Sequence, residues 1–294
     1  MGGSGSDTLA ARVSRELGID SGKLEIKKFP DGEKYLRILE DVKGEDVAVI
    51  QSINRTPDEL LFEYLLLVDT LKDLGAGRVV SFIPYFAYAR QDERFNPGEA
   101  LSVKTVGKLI ESVGTDEIYT IDMHQHRVLK STDVFKIPSI NISAMPLLAD
   151  YVRKSGNVEK PLVIGPDAEA EQWAKLAAER LHTDYDIFEK KRLGSESVQI
   201  RPRKANAKDR DVLIVDDIIS TGGTIVEALK ILFSQGARRI EVACTHPILA
   251  GGALAKIYGA GATNVIGTDT VPSPISFVTV APLIAEHIRK EGFR

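Results

Sequence analysis

Short runs of apolar residues alternate along the chain with longer stretches in which apolar residues recur at helical spacing. The short runs predict buried β-strands, and the periodic stretches predict helices that turn one face to a core. The predicted strands span residues 47–50, 79–83, 118–121, 162–164, 212–215, 240–243 and 264–266. The predicted helices span residues 59–74, 103–113, 168–181, 224–233, 250–258 and 281–290. Because strands that alternate with helices form parallel sheets covered by helices, the pattern predicts an α/β fold.

The two halves of the chain also resemble each other. A strand led by aspartate starts at Asp46 and again at Asp211, and residues 115–122 parallel residues 262–269. Any two strand–helix units share some features, but these segments match in the same order, which favours a duplication. At about 150 residues per domain, the 294 residues then hold two domains of one plan. We place the domains at residues 1–141 and 142–280, and we expect helix 281–294 to pack on the first domain.

Composition limits the kinds of protein that this chain can be. It is 43% hydrophobic, and its 38 basic and 42 acidic residues leave a net charge of −4. We expect no nucleic-acid partner, because dedicated nucleic-acid binders carry a basic surplus. The single cysteine, Cys244, lies in an apolar run and is expected in a core. No apolar run is long enough to cross a bilayer and no signal peptide is evident, so we expect a cytoplasmic protein without a membrane partner.

The first six residues, MGGSGS, admit two interpretations. They have the composition of an engineered linker, or they form a native Gly/Ser turn that leads into a helix capped at about Asp7. The sequence leaves both interpretations open.

The most informative stretch is VLIVDDIISTGGT at residues 212–224. An apolar strand ends in Asp216 and Asp217, and a turn of hydroxyl-bearing residues and glycines then precedes a helix. Free N–H groups at a helix start bind phosphate, and glycines let the phosphate approach the backbone. The acidic pair repels phosphate but suits sugar hydroxyls or a divalent ion. The stretch therefore predicts a sugar-phosphate site, the alternative being an ordinary strand–turn–helix with a threonine cap.

The first half has Gln51 and Ser52 at the corresponding strand end, and it carries three other clusters. FPDGE at residues 29–33 is a turn with an aromatic ring and two carboxylates. PYFAYARQDER at residues 84–94 supplies arginines that can close over a polyphosphate. IDMHQH at residues 121–126 follows a strand and suits a metal, free or bound to phosphate. Each cluster has an ordinary alternative: a tight turn, a solvated charged loop and a pair of surface histidines.

Two further features of the second half carry charge. Asp167 follows another predicted strand, and FEKKR at residues 188–192 is a basic run between two strand-like segments. Basic runs are usually solvated surface, but a basic loop of this kind can supply cations to a transition state.

Together these motifs resemble the ribose-phosphate diphosphokinase family, also called phosphoribosyl pyrophosphate synthetases. FPDGE, PYFAYARQD, DMH, GPDA, EKKR, VDDIISTGGT and CTHPIL occur in the family's order, from about residue 4 to the C-terminus. The resemblance implies two tandem type I phosphoribosyltransferase-like domains with mainly parallel sheets flanked by helices. It also implies transfer of the diphosphoryl group of ATP to the 1-hydroxyl of ribose 5-phosphate, with Mg²⁺, by a homo-oligomer of two or more subunits.

The resemblance further implies a role for each candidate residue. The ATP pocket would be lined by Phe29, Asp31, Glu33, Arg90, Gln91 and His124, and Mg²⁺ would be held by His124 and Asp167. Ribose 5-phosphate would be bound by Asp216, Asp217, Ser220, Thr221, Gly222, Gly223 and Thr224. The catalytic cations would be Lys190 and Arg192. No covalent nucleophile is among them, which fits a transfer that depends on positioning and charge neutralisation.

The chain departs from the family pattern at three places. The family's short first strand is truncated here, because Met1 is followed directly by Gly-Gly-Ser. Position 220 is serine where many members carry aspartate, and residues 94–100 lack the lysines of the allosterically regulated enzymes, which favours an archaeal-type member. Two alternatives remain. A phosphoribosyltransferase would explain residues 216–224 but leaves the clusters of the first half unexplained. A non-catalytic regulatory homologue is disfavoured because the chain retains the basic run, His124 and both sugar carboxylates.

Overall fold

The computed structural model describes residues 1–94, 96–124, 131–192, 198–202 and 205–293, with the backbone alone at residues 131, 190–192 and 198–202. The predicted catalytic side chains of Lys190 and Arg192, and the end of the histidine motif at residues 125–126, lie outside the described residues. The chain divides into two compact units, one of residues 1–142 with 279–294 and one of residues 143–278. Each unit has its own main sheet and core.

Strands and helices alternate along the whole chain. The first part forms α1 (Asp7–Leu17), β1 (Leu24–Lys28), β2 (Lys34–Ile38), β3 (Val47–Ile50), α2 (Pro57–Asp73), β4 (Val79–Ile83), α3 (Ser102–Ser112), β5 (Glu117–Ile121) and β6 (Ser139–Ile142). The second part forms α4 (Met145–Ser155), β7 (Leu162–Gly165), α5 (Glu171–Leu181), β8 (Tyr185–Arg192), β9 (Val198–Pro202), β10 (Asp211–Ile219), α6 (Gly223–Ser234), β11 (Arg239–Pro247), α7 (Ala253–Gly259), β12 (Asn264–Thr268), β13 (Ser276–Val278) and α8 (Ala281–Glu291). The predicted α/β fold is confirmed.

The first unit is built on a four-stranded parallel sheet in the order β3-β4-β5-β6, and β1 and β2 form a separate antiparallel hairpin. Tyr64 of α2 lies at the centre of the core, with its hydroxyl 2.7 Å from Ser81 Oγ and 2.6 Å from Thr115 Oγ1. Burial raises the pKa of Tyr64 to about 12. The helix α8 packs against α1, and Tyr119 of β5 donates a hydrogen bond to Glu291 of α8.

The second unit holds a seven-stranded sheet in the order β13-β12-β11-β10-β7-β8-β9. Its described neighbours run parallel, except that β8 and β9 pair antiparallel. Along β10, Val212 and Ile214 join the core under α6 and α7, whereas Leu213 and Val215 join the core under α4 and α5. A strand that is buried on both faces is apolar at successive positions, which explains the uninterrupted apolar run at residues 212–215.

The structure corrects two of the predicted bounds. The predicted helix at residues 250–258 is wrong at its start, because Gly251 and Gly252 take φ angles of +60° and +73° and α7 begins at Ala253. The strand predicted at residues 212–215 continues to Ile219, so the acidic pair lies within β10 and not after it.

The glycine- and serine-rich N-terminal segment is packed against β3. Gly2 forms an isolated parallel bridge with Ile50, and Ser6 Oγ accepts a hydrogen bond from Ser52 N at 2.8 Å. Ser6, and not Asp7, is the N-cap residue of α1. The segment therefore behaves as part of the fold and not as a linker. Within the described ranges, every helix is too short or too polar to cross a membrane.

Glu241, near the amino end of β11, is a buried carboxyl group. It is 0% exposed, and the side-chain amides of Asn157 and Asn264 offset only part of the effect of its burial. Burial raises the pKa of Glu241 above its ordinary value. Since the folded protein then favours the protonated form, this carboxyl group lowers stability progressively as the pH rises through the raised pKa.

We therefore expect Glu241→Gln to raise the free energy of unfolding by about 1 kcal/mol at about pH 8, and by much less at about pH 4. Urea titrations at the two pH values measure the difference. Glu179→Gln is the matched control, because Glu179 is exposed on α5. A gain of the same size at both pH values would contradict the burial argument.

Candidate active site

Two strands of the second unit bring three carboxylates to the same edge of its sheet. Asp216 and Asp217 lie towards the carboxyl end of β10, and Asp167 follows the neighbouring strand β7. Burial raises the pKa of Asp216 well above its ordinary value, and the charges of Asp217 and Asp167 raise it further. An edge with this much negative charge favours ligands that offer hydrogen-bond donors or positive charge, such as sugar hydroxyls or a divalent cation.

Backbone N–H groups fix the orientation of these acids. Asp217 Oδ1 accepts a hydrogen bond from Ile218 N at 2.7 Å, and Asp217 itself is 2% exposed. Asp167 Oδ1 accepts hydrogen bonds from Glu169 N at 3.1 Å and Ala170 N at 3.2 Å. Its second oxygen accepts none from the described residues, which leaves Asp167 able to take a cation or a water.

Cys244 is the partner of Asp216 in the register of β10 and β11, and it is fully buried. Burial and the charge of Asp216 raise the pKa of its thiol. A neutral buried thiol is a poor nucleophile, so Cys244 belongs to the core, as the apolar run around it predicts.

The turn after β10 presents the open N-terminus of α6. Gly222 is the N-cap residue at a φ angle of +76°, and a Cβ atom there would lie 3.2 Å from Ile257 Cδ1 and 3.3 Å from Ala253 Cβ. Only glycine fits this conformation and this contact with α7 without strain. Thr221 and Thr224 are exposed, and no side chain among the described residues caps the helix. The turn therefore offers backbone N–H groups and hydroxyls to an anion.

The FPDGE motif forms the turn of the β1–β2 hairpin in the first unit. Phe29 N donates to Glu33 O at 2.8 Å, Gly32 adopts a φ angle of +98°, and Asp31 Oδ1 accepts from Glu33 N at 3.2 Å. The side chains of Phe29, Asp31 and Glu33 are all exposed, with Phe29 49% exposed. An exposed ring beside two acceptors is suited to stack on a heterocyclic base and to bind its N–H groups.

The remaining candidate residues of the first unit follow β4 and β5. Arg90 is exposed, and Gln91 Oε1 accepts a hydrogen bond from Ser102 Oγ of α3 at 3.2 Å. Arg94 Nε donates to Glu99 O at 2.8 Å, so this arginine stabilises the loop in which it lies. His124 is half-buried after the end of β5.

The predicted metal ligands lie in different units, His124 in the first and Asp167 in the second. Across the part of the chain that is described, no three His, Cys, Asp or Glu side chains are placed to hold a metal ion together. Mg²⁺ takes most of its oxygens from water and substrate phosphates, with one or two from carboxylates. The uncommitted oxygen of Asp167 fits a magnesium ion of that kind.

One residue beside the candidate site was missed by the sequence reasoning. Glu63 of α2 is 1% exposed and binds Lys34, the residue that follows Glu33 of the FPDGE motif, at 2.6 Å. The available signal was a lone acid that interrupts the apolar run at residues 60–68.

Two family models match the chain. One is the N-terminal domain of ribose phosphate pyrophosphokinase, which matches residues 1–114, and the other is the phosphoribosyl transferase domain, which matches residues 130–260. The fold and the strand–turn–helix site therefore define a protein with two phosphoribosyltransferase-like domains in tandem, and the first of them matches the N-terminal domain of ribose phosphate pyrophosphokinase.

Relatives over the full length identify that family. The ribose-phosphate pyrophosphokinases of Methanothermobacter thermautotrophicus and Methanobrevibacter smithii are both 44% identical, over 97% and 98% of this chain and 98% and 99% of their own lengths. The crystal structure of phosphoribosylpyrophosphate synthetase from Mycobacterium smegmatis matches with a TM-score of 0.88 and 28% identity, covering 99% of this chain and 97% of that chain. The chain belongs to the ribose-phosphate pyrophosphokinase family, and the resemblance seen in the sequence is confirmed.

Proposed function

We propose that this enzyme transfers the β,γ-diphosphoryl group of ATP to O1 of ribose 5-phosphate. The sugar oxygen attacks the β-phosphorus in line, the bond from that phosphorus to the α-phosphate oxygen breaks, and AMP leaves with the oxygen. The products are 5-phosphoribosyl 1-diphosphate and AMP. The observation that carries the proposal is the acidic pair of β10 beside the open N-terminus of α6, in a chain of this family.

The second unit binds ribose 5-phosphate in this proposal. Asp216 and Asp217 accept hydrogen bonds from the ribose hydroxyls, because carboxylates are strong acceptors in a partly dry site. The 5-phosphate binds to the turn at the start of α6, through the residues Ser220, Thr221, Gly222, Gly223 and Thr224. One strand–turn–helix element thereby holds both ends of the sugar phosphate, which fixes the direction of O1.

The first unit binds ATP. The exposed ring of Phe29 stacks on adenine, Asp31 and Glu33 accept hydrogen bonds from the nucleotide, and Arg90 and Gln91 complete the adenine side. His124 contributes beside the phosphates. These assignments rest on the exposed hairpin turn and on the position of the strand ends.

Mg²⁺ is the cofactor in this proposal, held by His124 and Asp167 together with the phosphates. When bound, it neutralises the charge that develops on the transferred group. Lys190 and Arg192, at the end of β8, supply further positive charge to the same group. With the metal, Lys190 and Arg192 in these roles, the other residues of the site need only bind and orient the two substrates.

The domain boundaries remain part of the proposal. Residues 1–141 with helix 281–294 form the ATP domain, and residues 142–280 form the ribose 5-phosphate domain. A homo-oligomer of two or more subunits is the expected assembly.

Incubation with ATP, Mg²⁺ and ribose 5-phosphate tests the reaction, followed by ³¹P nuclear magnetic resonance. We expect AMP and a diphosphorylated sugar to form in equal amounts, and ribose without its phosphate to be a poor acceptor, since the turn before α6 would be left empty. Failure to release AMP would refute the proposal. A phosphoribosyltransferase would instead consume the diphosphorylated sugar when given a base, and a regulatory homologue would do neither.

A further inference from the structure

A buried carboxylate in the first unit has more donors than a structural role in one helix requires. Glu63 lies in α2 and is 1% exposed. Its Oε1 accepts hydrogen bonds from Ser4 N at 2.7 Å and from Gln51 Nε2 at 3.1 Å. Its Oε2 accepts from Ser4 Oγ at 2.7 Å and from Lys34 Nζ at 2.6 Å. One carboxylate therefore joins the N-terminal segment, the end of β3 and the start of β2.

The contact with Lys34 holds the turn end of the β1–β2 hairpin. Lys34 is the first residue of β2, directly after Glu33, and its side chain is only 10% exposed. The hairpin packs on the core through three apolar residues, Leu24, Leu36 and Ile38. Leu24 and Ile38 face each other at the open end of the hairpin, away from the turn. Near the turn, polar contacts and not apolar ones attach the hairpin to the rest of the unit.

A second ion pair near the turn offers a natural comparison. Lys28, paired with Lys34 across the hairpin, binds Glu59 of α2 at 2.7 Å. Both side chains of this ion pair are exposed, Lys28 at 49% and Glu59 at 47%. Exposed ion pairs contribute little, whereas a buried pair with further hydrogen bonds resists separation strongly. The contact between Lys34 and Glu63 is therefore the stronger anchor of the turn.

The other side of Glu63 is bound by Gln51, which follows β3 at the position that corresponds to the acidic pair of the second unit. Gln51 Oε1 accepts a hydrogen bond from Gly5 N at 3.1 Å, and a Cβ atom on Gly3 would lie 2.4 Å from the same oxygen. A Cβ atom on Gly5 would lie 2.4 Å from Ser52 O. The residues that stand where the second unit has Asp216 and Asp217 thus hold the N-terminal segment, which in turn donates to Glu63.

We propose that Glu63 is a positioning residue that sets the FPDGE turn for nucleotide binding. This inference rests on the proposed role of Phe29, Asp31 and Glu33 at adenine. Glu63 is too deeply buried to touch the nucleotide; it acts through Lys34, which fixes the turn against α2. A turn held in its binding geometry loses less conformational freedom when the ligand arrives. Loss of the ion pair between Lys34 and Glu63 should weaken ATP binding and leave the rate of the chemical step unchanged.

Lys34→Met tests this, with Lys28→Met as the matched control on the same hairpin. We expect Lys34→Met to raise the Kd of Mg²⁺–ATP, and its KM, about tenfold, with kcat and the KM of ribose 5-phosphate within about twofold. Lys28→Met should change each constant by less than about twofold. Lys34→Arg should restore ATP binding, and hydrogen exchange of the hairpin amides should be faster in Lys34→Met than in the wild type.

The variant Lys34→Met/Glu63→Gln serves if the single change unfolds the protein, because it leaves no buried charge without a partner. It should show the same loss of ATP affinity. Equal ATP constants for wild type, Lys34→Met and the double variant would overturn the inference, as would equal losses for both substrates. ATP binding by the wild type without AMP formation would refute only the proposed reaction, whereas absence of ATP binding would overturn the inference as well.

Discussion

Asp217→Asn will lower kcat/KM for ribose 5-phosphate by about 100-fold and will stabilise the substrate-free protein at neutral pH. The loss of activity follows because a neutral amide is a weaker acceptor than a carboxylate, and because its NH₂ group can face a sugar hydroxyl the wrong way. ATP binding should change far less. Steady-state kinetics with each substrate varied in turn measures both effects.

The gain in stability follows from the charges at the carboxyl end of β10. Burial raises the pKa of Asp216 from 3.8, and the charges of Asp217 and Asp167 raise it further. A raised carboxyl pKa means that the folded protein loses stability as the pH rises through that pKa. Removing the charge of Asp217 reduces this loss, so we expect about 1 kcal/mol more stability at about pH 8 and little change at about pH 4.

Asp209→Asn is the control for this experiment. Asp209 is an exposed acid of the same unit at a φ angle of +59°, a conformation that asparagine accepts readily. It should leave both activity and stability nearly unchanged. Equal losses in the use of ATP and of ribose 5-phosphate by Asp217→Asn would argue that Asp217 serves the metal and not the sugar.

The site on β10 could be predicted from the sequence because its parts are contiguous. A strand buried on both faces reads as an apolar run, and Gly222 reads as a turn, so the strand, the acids and the helix start appear in one stretch of the chain. The network of Glu63 could not be predicted in this way. Its donors at positions 4, 34 and 51 are far apart in sequence and meet only after folding.

The strands of the hairpin and of the sheet edges were also hard to predict from the sequence, for a related reason. The strands LEIKK and KYLRI of the hairpin are half-buried and carry several charges, and β6 exposes two of its four residues. Such strands lack the apolar runs on which the prediction depends. The helix predicted at residues 250–258 failed at its start because the positive φ angles of Gly251 and Gly252 interrupt an otherwise apolar pattern.

Gly222→Ala will raise the KM for ribose 5-phosphate by about 30-fold and leave the KM for ATP within about twofold. The new Cβ meets Ile257 Cδ1 at 3.2 Å and Ala253 Cβ at 3.3 Å, at a φ angle of +76° that disfavours side chains. The turn can relieve both strains only by moving away from α7. That movement displaces the N–H groups at the start of α6 from the position where they would bind the 5-phosphate. Kinetics with each substrate varied, together with urea unfolding, measure the two effects.

Gly236→Ala separates backbone strain from phosphate binding. Gly236 follows the other end of the same helix at a φ angle of +86°, and its nearest neighbour for a new Cβ, Lys208 Cγ, lies at 3.5 Å. Both variants should lose about 1 kcal/mol of stability from the left-handed backbone, but Gly236→Ala should keep its KM values. If Gly222→Ala lost stability and kept its KM for ribose 5-phosphate, the turn before α6 would not be the phosphate site. The acidic pair would then have to bind the sugar without a fixed phosphate beside it.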